Sequence, residues 1–235
     1  MSEAEEIAAR LTRDLSRASA LRAAAAADPA LEAARQRLRA WQAVRLARTH
    51  ADLLASPSMG LAATFFLTDL YGSEDLTRLD ADVRRILPGL KRLMSAAGLE
   101  TVAQAIELEA LSEELDFAMA ALLADKSREL SAASYAAAYR AIGRRGDRER
   151  QIALVESLGR SLERLVHRHF TGATLAMMRK PARLAGLGEL HDFLERGYKA
   201  FTRMGAAGEF LELIVGRERK VLEAVFAGDD RLLGD

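Results

Sequence analysis

The sequence predicts an all-α protein, a single globular bundle of about eight to ten helices. Three observations predict it. Ala, Leu, Arg and Glu dominate the chain, and all four are strong helix formers. Val, Ile and Thr are sparse, and no two-residue apolar alternation runs long enough to make a strand. Prolines, glycines and capping residues fall where one apolar-periodic stretch gives way to the next.

The elements follow from those breaks. Asp28-Pro29 ends an N-terminal helix over 1–28, set apart as loosely attached; residues 29–230 are the single all-α domain. A long helix over 30–55 stops at Ser56-Pro57, because the residue before proline avoids the α region. A short helix then carries FFLTDLYG at 65–72 and stops at Gly72, a C-cap glycine. TRLDADVRRIL is broken by Pro88-Gly89, and Gly98 precedes a helix over 99–124. Ser131 caps SAASYAAAYRAIG, which ends at Gly143. Asp147 opens a helix to 170, Pro181 marks another to 204, and the last runs over 207–226. Gly186 and Gly188, in RLAGLGEL, are placed in helical context.

Composition excludes several functions. Lys+Arg and Asp+Glu number 34 each, so no global basic bias drives nucleic-acid binding. Cysteine is absent, which removes disulfides, zinc-thiolate sites and thiol catalysis. No apolar run reaches the ~18 residues of a membrane span. The N-terminus, MSEAEEIAAR, lacks a signal-peptide pattern. A cytoplasmic protein is expected, with no membrane and no nucleic-acid partner.

Each helical residue advances by about 100°, which locates polar residues that fall among leucines. On 30–55, Gln42, Arg45, Thr49 and Asp52 share the face of Leu31, Ala34, Leu38, Trp41, Leu46 and Leu53; His50 sits at its boundary. Asp69 projects between Phe65 and Phe66. On 99–124, Glu107 and Glu114 lie between two apolar stripes, while Glu109, Glu113 and Asp116 point the other way, to solvent. His169 and His191 lie on apolar faces, His167 points outward, and Glu218 lies among Leu211, Ile214, Val221 and Val225.

A buried charge requires a partner. The expected arrangement is a polar seam in which Arg45 pairs with Asp69, Glu107 or Glu114, helped by Gln42, Thr49 and Tyr71. Such a seam either fixes helix register or builds a ligand site; in the second case the candidate residues are Arg45, Asp69, Glu107, Glu114, His169 and His191. Helical bundles hold two irons with Glu-x-x-His pairs, and none of the four histidines has a glutamate three residues before it. GxGxxG, GxxxxGK[ST], GxSxG and HExxH are absent. The expectation is therefore no cofactor and no metal. RRGDRER at 144–150 is assigned to a solvated helix start.

FFLTDLYG, followed by Asp75, Arg78 and Asp80, resembles an uncharacterised bacterial all-helical family with a Phe-Phe-Leu-x-Asp-Leu-Tyr-Gly signature and a following Arg-Asp pair. In this chain Leu79 separates that pair. AYRAIGRRGDRERQIAL at 138–154 and KPARLAGLGELHDFLERGYKAF at 180–201 are similar to it too. The resemblance implies an all-helical fold from residue 38 onward and carries no activity.

Two function classes remain. One is a non-enzymatic module that binds a protein partner or itself, marked by an exposed apolar patch. The other is a small-molecule-binding protein or enzyme built on the buried seam, marked by a closed polar pocket.

Overall fold

The computed structural model describes residues 2–70, 96–124, 130–167 and 171–234, the side chains of Asp69, Leu70 and Leu190 excepted. Among them are ten α-helices and no strand, so the protein is all-α. In chain order they are α1 (Glu3–Ala26), α2 (Pro29–Thr49), α3 (Ala51–Ala55), α4 (Gly60–Phe65), α5 (Ala96–Leu122), α6 (Ala132–Ile142), α7 (Arg145–Val166), α8 (Thr171–Leu184), α9 (Gly188–Met204) and α10 (Gly208–Phe226). Phe66–Leu70 continue α4 as a π-helical turn. The expectations for Gly72, Asp75, Arg78, Asp80 and Pro88-Gly89 lie outside the described residues.

Capping chemistry sets most boundaries. Ser2 and Glu5 form a capping box on α1, the Ser2 amide donating to Glu5 Oε2 at 2.7 Å. Asp28 caps α2 by accepting from the Ala30 amide at 2.9 Å, with Pro29 at the first helical position. Ser131 and Ser134 cap α6 reciprocally, and Gly143 ends it in the left-handed conformation at φ 63°. Two expectations are corrected. The stretch 30–55 is two helices, because the chain leaves helical geometry at His50; the phase is lost there, and Asp52 points to solvent. Pro181 lies inside α8 rather than before α9. The turn comes at Gly186, whose φ of 72° lets Leu187 N donate to the Ala182 carbonyl and Gly186 N to that of Arg183. RLAGLGEL is thus a helix stop, and its left-handed residue has to lack a Cβ.

Helix α5 is the axis of the bundle. Along one side α1 buries Leu11 and Leu15 against Leu99, Ala103 and Ile106. Helices α2, α6 and α7 cover its other sides. Helix α10 packs on α7, and α9 bridges α4, α7 and α8. Phe66 sits between Phe201 and Phe210, with ring centroids 6.0 and 5.5 Å away. A second core joins α2, α6 and α10, where Trp41 stacks on Tyr135 at 4.2 Å.

Helices α7 and α10 approach closely because Gly159 has no side chain. A Cβ there would lie 2.2 Å from Leu211 Cδ2, and Leu211 is fully enclosed. Overpacking of this kind costs about 1–3 kcal/mol, offset by ~1 kcal/mol of helix propensity gained from alanine. Gly159→Ala is therefore expected to lower stability by a net ~0–2 kcal/mol, read as a drop in the urea midpoint. A raised midpoint would show that Leu211 swings aside freely.

Candidate functional site: a buried arginine–carboxylate cavity

The polar seam exists, but it runs through different residues. On α5, Glu109, Glu113 and Asp116 stand at i, i+4 and i+7, one line along the helix. On α2, Arg35, Arg39 and Gln42 repeat the same spacing and meet that line. Glu113 is 1% exposed and lies 3.3 Å from Arg22 Nη1, 3.2 Å from Arg35 Nη1 and 3.0 Å from Arg39 Nη2. Glu109 accepts from Arg22 Nη1 at 3.0 Å. Asp116 accepts from Gln42 Nε2 at 3.0 Å and faces Arg39 Nε at 3.4 Å.

This reverses the expected order of the acids on α5. Glu113 and Asp116 are buried and Glu109 nearly so. Glu107 and Glu114 sit nearer the surface, Glu107 with Arg150 at 2.7 Å and Glu114 with Arg144 at 2.6 Å. The physical reason is that the wetter side of α5 is the one carrying Glu107 and Glu114. The side assigned to water meets α1 and α2, and the acids there are covered by arginines.

Arg45 is buried, as its place among Leu38 and Trp41 requires, but its partner among the described residues is Glu218 on α10 rather than Glu107 or Glu114. Arg45 Nη1 donates to both Glu218 oxygens, at 2.6 and 2.8 Å. His50, 1% exposed, places Nε2 3.2 Å from Glu218 Oε1. The side chain of Asp69 and the whole of His169 lie outside the described residues. His191 is buried on α9, with Nε2 3.7 Å from Glu195 and no hydrogen-bond partner, and is not among the residues that line the cavity described next.

Between α2, α5, α6, α7 and α10 these groups line a small cavity of about 90 Å³. Arg39, Arg45, Glu109, Asp116 and Glu218 contribute charge to its wall; Tyr135 and Tyr139 contribute rings. Arg148, from the stretch assigned to a solvated helix start, lines it too and is 7% exposed. It shares the inner face of α7 with Gln151, Val155 and Leu158, spaced as one helical stripe. Its direct contacts are neutral, and the charge that feels it is the Asp116 carboxylate on the same wall. Nη1 donates to Gln151 Oε1 at 3.1 Å, Nη2 lies 3.0 Å from Met119 Sδ, Nε is unpartnered, and the guanidinium sits 4.5 Å over the Tyr139 ring. No carboxylate pairs with it among the described residues.

Burial and charge pull these groups in opposite directions. Burial works against the Glu218 carboxylate, but the Arg45 guanidinium and the His50 contact outweigh it and bring its pKa down to about 2. Burial, then the Glu113 charge, push Glu109 up to about 7 against the pull of Arg39 and Arg22. Burial also raises Asp116, opposed by Arg39 and by the Gln42 hydrogen bond. Burial raises Tyr139.

The Glu109 shift sets a pH dependence. Its folded pKa lies above the ordinary 4.5, so the folded state holds the proton more tightly than the unfolded chain. That contribution is complete below 4.5 and lost as pH rises through about 7. Asp116 acts with the same sign. Glu218 acts oppositely and outside this window; its stabilisation is present above 4.5 and lost as pH falls toward 2. Urea melts are expected to lose up to about 3 kcal/mol between mildly acidic and mildly alkaline buffer. Glu109→Gln should flatten that slope; an equal slope in the variant would assign it elsewhere.

Among the described residues no helix is long and apolar enough to cross a membrane, and no group of three or more histidines and acids could hold a metal ion. A family model described as a domain of unknown function, DUF8198, matches residues 21–232. No curated protein and no solved structure matches the chain.

Proposed function

We propose, from the premise that this chain belongs to the DUF8198 family of domains of unknown function, that the protein binds a small molecule in the arginine–carboxylate cavity. The observation that carries this reading is Arg148: a buried guanidinium facing a cavity, in ion-pair contact with no carboxylate among the described residues. A buried charge without a counter-charge costs several kcal/mol, and a ligand removes that cost. The cavity's mixture of rings and converging polar groups suits a site for a small compound.

The test is native mass spectrometry of the purified protein, alone and against a metabolite mixture, with Ser112→Phe as the comparison. Ser112 lines the cavity, and phenylalanine there fills it. A bound mass on the parent chain that Ser112→Phe loses, while still melting cooperatively, supports the reading. Binding that survives the filled cavity, or no bound mass at all, overturns it.

A second reading has its own observation. Helix α8 buries Ala182 alone among its residues, and Met177, Met178 and Leu184 stand exposed, Leu184 at 90%. That surface supports self-association or a protein partner. Sedimentation across a concentration series tests the first; Leu184→Glu should shift any dimer to monomer.

A further inference from the structure

The charges around the cavity also specify its ligand. Arg39 faces Glu113 and Asp116, and Arg45 faces Glu218, so their charges are met within the protein. Arg148 is the guanidinium of the wall that no carboxylate contacts among the described residues; Asp116 meets its charge only at a distance. We infer that the ligand is a small organic monoanion, a carboxylate, whose charged group pairs with Arg148 and whose body lies against Tyr135, Tyr139, Leu46 and Ile152. This rests on the cavity being a ligand site.

Two physical arguments favour a singly charged group. One negative charge neutralises one unpaired guanidinium, and a planar carboxylate matches its donor edge. A dianion such as phosphate would bring a surplus charge among Glu109, Asp116 and Glu218, all on the cavity wall, where like charges repel strongly in a low dielectric. The rest of the wall is mixed, with Gln42, Ser112 and Gln151 adding neutral polar groups to an apolar side. Leu46, Ile152, Val221 and Leu222 line it with the two tyrosine rings, which suits a hydrocarbon body and excludes a heavily hydrated ligand.

Arg148→Met provides the decisive contrast. A paired buried arginine, once removed, strands its partner's charge. Arg148 has no contacting carboxylate to strand, so its replacement by methionine removes only the Gln151 hydrogen bond and the Tyr139 ring contact and should destabilise the unliganded protein far less than Arg45→Met does.

The experiment is a fluorescence titration. Trp41 is the chain's single tryptophan and stacks on Tyr135 of the cavity wall, so its emission reports locally. The probes are acetate, butyrate and benzoate, with inorganic phosphate and chloride at matched ionic strength. The expected result is a saturable change with at least one monocarboxylate, none with phosphate or chloride, and loss of the change in Arg148→Met. In chloride that variant should melt well above Arg45→Met; Arg148→Gln replaces it if the methionine variant does not fold. Saturable binding that survives both variants would overturn the inference. So would binding of phosphate alone, binding of no monocarboxylate, or a large loss of stability in chloride. A neutral or cationic mass released from the cavity would overturn the monoanion and leave the ligand-binding reading standing. No bound mass of any kind would remove both.

Discussion

Glu113→Gln is expected to lose about 3–5 kcal/mol of folding stability, the usual cost of breaking a buried ion pair from one side. The carboxylate is 1% exposed and lies within 3.3 Å of three guanidiniums, from Arg22, Arg35 and Arg39. Glutamine keeps the shape and one acceptor oxygen, so the loss reports charge rather than packing. Arg22 of α1 and Arg35 and Arg39 of α2 converge on this one group of α5, so its removal leaves three like charges from two helices facing each other. The comparison is Glu149→Gln, whose pair with Arg145 is about half exposed on both sides; exposed pairs of this kind are worth ~0–1 kcal/mol. Urea melts of the two variants give the contrast. Equal midpoints would mean that water reaches Glu113 and screens the cluster.

Arg45→Met is expected to cost a similar ~3–5 kcal/mol, because it strands Glu218 in the interior. Glu218 depends on Arg45 first and His50 second for its low pKa. Without the arginine it must take up a proton near neutrality or remain buried as an unpaired anion. The double variant Arg45→Met/Glu218→Gln should recover most of the loss, since removing both charges of a buried pair is often nearly neutral. The measured coupling between the two substitutions is the strength of the pair. A single-variant midpoint equal to the parent, or a double variant no better than the single, would remove Glu218 as the partner. Glu107→Gln and Glu114→Gln, at acids that pair instead with Arg150 and Arg144, should give no rescue.

Helical phase located Arg45 and Glu218 on apolar faces, and both are buried or nearly so. It failed on α5 because it placed the wet side wrongly. Helices α1 and α2 cover the side assigned to solvent, and the wetter side carries Glu107 and Glu114. The signal for the true seam was in the chain nonetheless. Glu109–Glu113–Asp116 and Arg35–Arg39–Gln42 repeat one spacing with opposite charge, the pattern of two helices packed side by side. Arg148 was legible in the same way, since it shares a stripe with Gln151, Val155 and Leu158; the charges around it in RRGDRER drew the reading toward solvent.

The sequence by itself determined the helical content, through composition and the absence of alternation. It also determined the helix stops at Asp28-Pro29, Ser56-Pro57 and Gly143, because caps and prolines act within one turn of chain. Tertiary structure decided which acid meets which arginine. Arg45 and Glu218 are 173 residues apart, and Arg35 and Glu113 are 78 apart. A charge on a helix face can be satisfied by any opposite charge that packing brings within a few ångströms. Local sequence shows that a buried charge needs a partner; the packing of α2 against α5 and α10 chooses it, and leaves Arg148 facing a cavity in place of a carboxylate.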